Sequence, residues 1–323
     1  MNPDYSVILF TTASGAGYGL LFWLGLEAVL GRAGGWPALA ALGLGLGLVT
    51  VGLLSSTFHL GHPERAWRAV SQWRSSWLSR EGVAALATYV PAGLLGLGWL
   101  LADRVPGEAV LGLLLMAGCV ATVVCTGMIY ASLRTVPEWN MRLVPGIYLA
   151  FAGGTGALLL AMLDAFRRGE GGAMPVLAAL LLAAGLALKL LYWRRIDGAA
   201  LPHDAAEAIG IPGASDIRVL DPPHTRPNFV MREMGFAVAR RHARRLRAAA
   251  IVLIAAAAFL CLSAAILPGL DPLPLLVAVP LAGLGVWTER WLFFAQARHL
   301  SMLYYAPGLG AGQGAGEVPG VLP

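Results

Sequence analysis

Charge is scarce in this 323-residue chain: Asp, Glu, Lys and Arg make up only 13% of it, and mean hydropathy is +0.70. With 58% of residues from the AVILMFWYC set, the polar surface of a water-soluble globule cannot be assembled, so a soluble fold is excluded. Lysine is nearly absent, Lys189 being the sole one, and arginine carries the cationic side. The net charge of +5 and the pI near 9.4 reflect basic loops beside apolar spans, so nucleic acid is not an expected partner. Cys119, Cys125 and Cys261 sit in apolar stretches without C-x-x-C spacing, which offers neither a disulfide framework nor a zinc or iron–sulfur site. Histidine is equally thin. His203, His224 and His242 fall in a polar stretch, His299 follows the last apolar run, and only His59 and His62 border a helix. Two axial pairs inside a bundle cannot be built from that set, so no haem is expected. There is no Walker A segment, and glycines inside apolar helices cannot cradle phosphate. The N-terminus lacks the basic n-region and small-residue cleavage site of a signal peptide, so the first apolar run is read as a retained helix.

Long apolar runs are what the chain has in abundance. They fall at about 7–30, 37–58, 82–101, 108–131, 143–164, 173–193, 248–267 and 273–295. Each reaches the roughly 20 residues that cross a bilayer. The pattern predicts an all-α, polytopic bundle of eight transmembrane helices, one membrane domain over 1–323 with both termini on one side. The glycines of 43–49 and 93–98 permit close helix approach. Pro91, Pro145 and Pro280 are expected to interrupt backbone hydrogen bonding inside spans.

The loops between helices 2 and 3, 4 and 5, and 6 and 7 are long and polar; those of the other face are short turns. The largest, 194–247, is rich in Pro and Asp around 221–227 and reads as a polar docking arm, helical towards its end from 229 to 247. Arg240, Arg241, Arg244, Arg245 and Arg247 there suit anionic lipid or a protein contact. Seventeen arginines lie on the long-loop face and four, Arg32, Arg104, Arg167 and Arg168, on the other. The positive-inside rule then places the docking face and both termini in the cytoplasm.

Chemistry-bearing residues gather at that face. His59, His62, Glu64, Arg65, Trp67 and Arg68 follow helix 2, and Trp77, Arg80 and Glu81 precede helix 3. A quinone head group needs donors for two carbonyls, a proton relay and an apolar or aromatic slot, all offered by such a set. An interfacial belt of Trp, Arg and His anchoring helix ends explains the same residues equally well. Tyr130, Arg134, Glu289 and Arg290 lie at comparable depth. Glu289 and Arg290 need not face each other, since successive helical residues project about 100° apart, and a structural ion pair competes with a site role. Glu27, near the opposite face, reads as an interface carboxylate. A proton or solute transporter is the competing function class, but it would place charges near mid-membrane in paired half-helices.

Phe58-His59-Leu-Gly-His62-Pro-Glu-Arg65-Ala-Trp67, then Leu78-Ser79-Arg80-Glu81, 134–139 (Arg-Thr-Val-Pro-Glu-Trp) and Glu289-Arg290-Trp-Leu-Phe-Phe resemble the membrane-anchor subunit of DMSO reductases. The resemblance runs through most of the spans. It implies eight transmembrane helices, no haem, and electron exchange with ubiquinone or menaquinone. It also implies as partners a four-cluster iron–sulfur subunit and a molybdopterin catalytic subunit that hold the iron–sulfur clusters and molybdenum cofactor. Carried over by motif, His59 matches the quinol-site histidine, Glu81 its acidic partner and Arg65 a further candidate; with Tyr130 and Glu289 they form the expected quinone site. Arg134, Trp139, Arg226 and Arg232 are the expected docking residues. The longer arm and the cytoplasmic charge bias depart from the DMSO reductase pattern. Together with 225–236 and 239–247 they look like the anchor of the cytoplasmic membrane-bound sulfite-oxidising complex. The implied role is a quinone-reactive anchor for sulfite oxidation, the alternative being the anchor of a DMSO or other sulfur-compound reductase that oxidises menaquinol.

Overall fold

The computed structural model describes residues 3–58, 62–102, 105–168, 172–214, 234, 238–267 and 272–304. In chain order its α-helices are α1 (Tyr5–Val29), α2 (Gly35–Thr57), α3 (Trp77–Leu101), α4 (Glu108–Ala131), α5 (Leu143–Arg168), α6 (Met174–Gly198), the one-turn α7 (Ala205–Ala208), α8 (Val238–Ile266) and α9 (Pro272–Ala295). Short 3-10 helices occupy Pro63–Val70 and Leu300–Tyr304. Eight of the described helices, all but α7, are long and apolar enough to cross a membrane, so the chain is a multi-span membrane protein and the all-α expectation holds.

The bundle is organised around α1, which packs against α2, α4, α5 and α9, while α8 packs against α6 and α9 at the periphery. Consecutive spans alternate in direction. The starts of α1, α3, α5 and α8 and the ends of α2, α4, α6 and α9 therefore share the face that carries the long connections. Lipid cannot drive helices together as water does, so close backbone approach supplies the packing. A Cβ on Gly19 would overlap the Ala152 carbonyl, and one on Gly156 would overlap the Gly19 backbone, so α1 and α5 touch main chain to main chain. Gly43, Gly47 and Gly93 have nothing within 4 Å of an added Cβ. The glycine-rich runs therefore only partly serve the interfaces expected of them.

Pro91 and Pro280 lie inside α3 and α9. Pro145 does not interrupt a helix: it is the third residue of α5, in a first turn whose backbone N–H groups have no intrahelical acceptor anyway. Asp4 caps α1 through Oδ1, which accepts from the Ser6 N–H at 2.8 Å. Ser76 caps α3, so this helix begins at Trp77 and takes Glu81 into its second turn.

Candidate functional site

Glu81 is buried on the bundle side of α3, where it accepts a hydrogen bond from Thr126 Oγ1 of α4. Its neighbour Arg80 points the other way: Nε donates to the Trp73 carbonyl at 2.9 Å, Nη2 to the Arg74 carbonyl at 2.6 Å, and the guanidinium lies 4.3 Å from the Trp77 ring centroid. Adjacent residues of opposite charge thus serve opposite faces of one helix turn. The preceding 3-10 helix exposes Trp67 beside Arg68, with Trp73 and Arg74 following, an indole–guanidinium belt of the kind that settles at a membrane interface.

A second cluster lies deeper in the bundle. Lys189 of α6 and Glu289 and Arg290 of α9 are 1%, 0% and 2% exposed, with Lys189 Nζ 2.6 Å and Arg290 Nη1 3.1 Å from the Glu289 carboxylate. Glu289 and Arg290 are partners after all, and Lys189 completes a triad. Aromatic faces complement the two cations: Arg290 sits 3.5 Å from the Tyr148 centroid, and Lys189 3.9 Å from that of Tyr192. Tyr130, half-buried at the end of α4, stacks on Tyr148 and meets Trp139, Phe293 and Phe294 edge-on. At 1.5 Å per helical residue, Glu81 and Thr126 lie roughly 6–8 Å, Tyr148 about 8 Å and Glu289 about 9 Å from their helix ends on the long-loop face.

Glu81 and Glu289 thus lie at similar depth, whereas Tyr130, one residue from the end of α4 and one turn beyond Thr126, lies nearer the long-loop face. Arg65 stands apart: it is exposed on the 3-10 helix, 3.7 Å from Glu64. His59, Arg226 and Arg232 lie outside the described residues. Arg134 is exposed, as a docking residue must be. Trp139 corrects the docking expectation. It is 5% exposed, stacks on Phe293 at 5.6 Å and donates its indole N–H to the Phe293 carbonyl at 2.9 Å, so no face is left for a partner. Its segment is an internal strap. Buried Glu138 holds Arg298 Nε at 2.6 Å, and the Leu300 N–H reaches the Thr135 carbonyl at 3.0 Å. The sequence singles out neither Thr126 nor Tyr148, quotes Glu138 only within the 134–139 motif, and gives Lys189 no role beyond being the sole lysine. A lysine inside an apolar run was the signal available, because such a charge needs a buried partner.

The family profile described as the DMSO reductase anchor subunit (DmsC) matches residues 1–295. Similar over nearly its whole length is a subunit of the sulfite dehydrogenase of Allochromatium vinosum, 34% identical over 329 residues, covering 94% of this chain and 99% of that protein. A component of the anaerobic dimethyl sulfoxide reductase of Escherichia coli is 35% identical over 123 residues, covering 36% of this chain and 42% of that one. Both relatives are parts of oxidoreductases by name, and the match to the family takes in every described span: this chain belongs to the DMSO reductase anchor subunit family.

Proposed function

We propose that this chain is the quinone-reactive membrane anchor of a molybdenum oxidoreductase that oxidises sulfite in the cytoplasm. Its partners in that reading are a four-cluster iron–sulfur subunit and a molybdopterin catalytic subunit. The sulfite assignment is favoured over a menaquinol-oxidising reductase because the alignment with the sulfite dehydrogenase subunit spans almost all of both proteins, whereas that with the dimethyl sulfoxide reductase component spans less than half of either.

The observation that carries the quinone reading is Glu81, a buried carboxyl held by Thr126 beside the aromatic cluster of Tyr130. A buried carboxyl and a phenol at the membrane edge suit a quinone head group, with His59 as its second polar contact by motif. When bound, quinone supplies a two-electron acceptor that takes up two protons. Glu81 holds one proton at its carboxyl and Thr126 orients that carboxyl, with Tyr130 one turn further along α4.

The test uses the complex purified through this subunit. Glu81→Gln is expected to lower quinone-coupled turnover on the order of 10²-fold, normalised to the dye-coupled rate that counts assembled complex. His59→Ala should behave likewise. Full quinone-coupled turnover in Glu81→Gln would show that the quinone site lies elsewhere.

A further inference from the structure

Between α1, α4, α5 and α9 lies a narrow cavity with room for about one water molecule, lined among others by Thr12, Tyr18, Thr126, Tyr148 and Arg290. Two buried phenols face it with nothing to bind: Tyr18 is 2% and Tyr148 3% exposed, and neither hydroxyl has a hydrogen-bond partner. Tyr18 reaches towards Thr122 without attaining hydrogen-bond geometry. Thr12 Oγ1 and Arg290 Nε are likewise unpartnered. Buried hydroxyls left unpaired are costly, so several around one water-sized space mark a place built for a bridging water.

Glu81 is joined to this cavity through Thr126. Thr126 lines the cavity, and its Oγ1 meets the Glu81 carboxyl and is also 3.0 Å from the Thr122 carbonyl. A hydroxyl has one proton to give. When Glu81 is ionised, Thr126 donates to it; when Glu81 is protonated, Glu81 donates to Thr126, which turns its proton to the Thr122 carbonyl. Both protonation states of Glu81 are therefore accommodated by one hydroxyl rotation. On the far side, the Tyr148 ring lies under the Arg290 guanidinium, which is itself paired with Glu289.

We propose that Tyr148 and Tyr18 hold a water molecule in this cavity, and that through the Thr126 hydroxyl this water exchanges protons with the buried carboxyl of Glu81, the three side chains forming a short proton relay. Arg290 keeps its charge throughout and orients the water by offering N–H donors, so the water's own protons point to the hydroxyls. In each exchange Thr126 gives a proton to Glu81 and takes one from the water while the water recovers one along the same path, so protons are swapped with no net charge or electron moved. The relay rests on the quinone reading for its purpose, since Glu81 must recover a proton for each one it gives up, but not for its existence.

That separation decides the experiment. In the resting complex at mildly acidic pH, transfer to heavy water shifts the carboxyl stretch of Glu81, identified as the infrared band lost in Glu81→Gln. Tyr148→Phe and Thr126→Val are each expected to slow this exchange on the order of tenfold or more. Thr126→Ser, which keeps the hydroxyl and loses the methyl, should exchange at the parent rate. Valine has the shape of threonine without the hydroxyl, so unchanged exchange in Thr126→Val with slowed exchange in Thr126→Ser would show a packing role and overturn the relay. Parent-rate exchange in Tyr148→Phe, or no carboxyl band sensitive to Glu81→Gln, would overturn it too. Slow exchange in the variants alongside full quinone-coupled turnover in Glu81→Gln would leave the relay standing and remove the quinone reading.

Discussion

Glu289 is the one anion between two cations in a site that excludes water, so the members of the triad are not equivalent. Glu289→Gln leaves Lys189 and Arg290 facing each other without a counter-charge, which should cost about 3–5 kcal/mol. Lys189→Met leaves a neutral Glu289–Arg290 pair and should cost far less. Thermal unfolding midpoints of the two variants in detergent check the order, and a larger loss in Lys189→Met would contradict the triad. A different kind of sensitivity resides in His299, outside the spans. Its Nδ1 accepts from the Ser301 N–H at 3.1 Å, which requires the neutral ring, and burial lowers its pKa. Between that lowered value and the unfolded value of about 6.5, the unfolded state binds more protons, so stability rises with pH. The 299–304 turn is expected to loosen as pH falls below about 6.5, read as faster amide exchange in this segment, and His299→Gln should remove most of the pH dependence. The sequence showed that Glu81, Tyr130 and Glu289 lie towards the long-loop ends of their spans, because that follows from counting residues along a span. It did not show which of them pair, because that depends on the rotation of α6 against α9, helices far apart in the chain. Trp139 misled for a related reason: a tryptophan in a loop between spans reads as surface until the strap that folds it inward is known.

At the scale of the helices, small residues determine where backbones can meet. Gly19→Leu is expected to drive α1 off α5 and lower the thermal midpoint in detergent by several degrees or prevent assembly, whereas Gly43→Leu should be close to neutral. Composition foretold a tight bundle but could not rank the glycines, since all of them sit in equally apolar runs. Helix starts were harder to read than helix existence. The reading from hydropathy began the third span at 82, yet Ser76 caps it and Trp77 opens it, because a helix can continue through Arg80 and Glu81 when each finds a partner on its own side. The arm is partly laid down on the bundle: Ala205 and Ala206 of α7 are buried, and α7 packs on the Leu300–Tyr304 helix. Arg247 grips Asp197 at 2.6 and 3.0 Å, so one arginine of the basic stretch ties α8 to α6 instead of meeting lipid or a partner.

For the whole molecule, arginine asymmetry predicts a cytoplasmic long-loop face. Ser75, exposed before α3, and Pro106, exposed in the α3–α4 turn, mark the two faces. In intact spheroplasts an impermeant thiol reagent should label Pro106→Cys and spare Ser75→Cys. The native cysteines Cys119, Cys125 and Cys261 are buried, which keeps the background low. The reverse pattern would turn the docking face outward and with it the proposed compartment of sulfite oxidation.

The sole lysine of the protein is locked against Glu289, 1% exposed. Every other cationic group on a side chain that reaches water is a guanidinium or an imidazole. Acylating reagents, amine-directed cross-linkers and lysine-modifying enzymes therefore find no ammonium side chain on the described surface. A map of the complex drawn with lysine side-chain chemistry would show this subunit as a blank, however extensive its real interface, so its neighbours must be traced through carboxylates, guanidinium groups or introduced thiols.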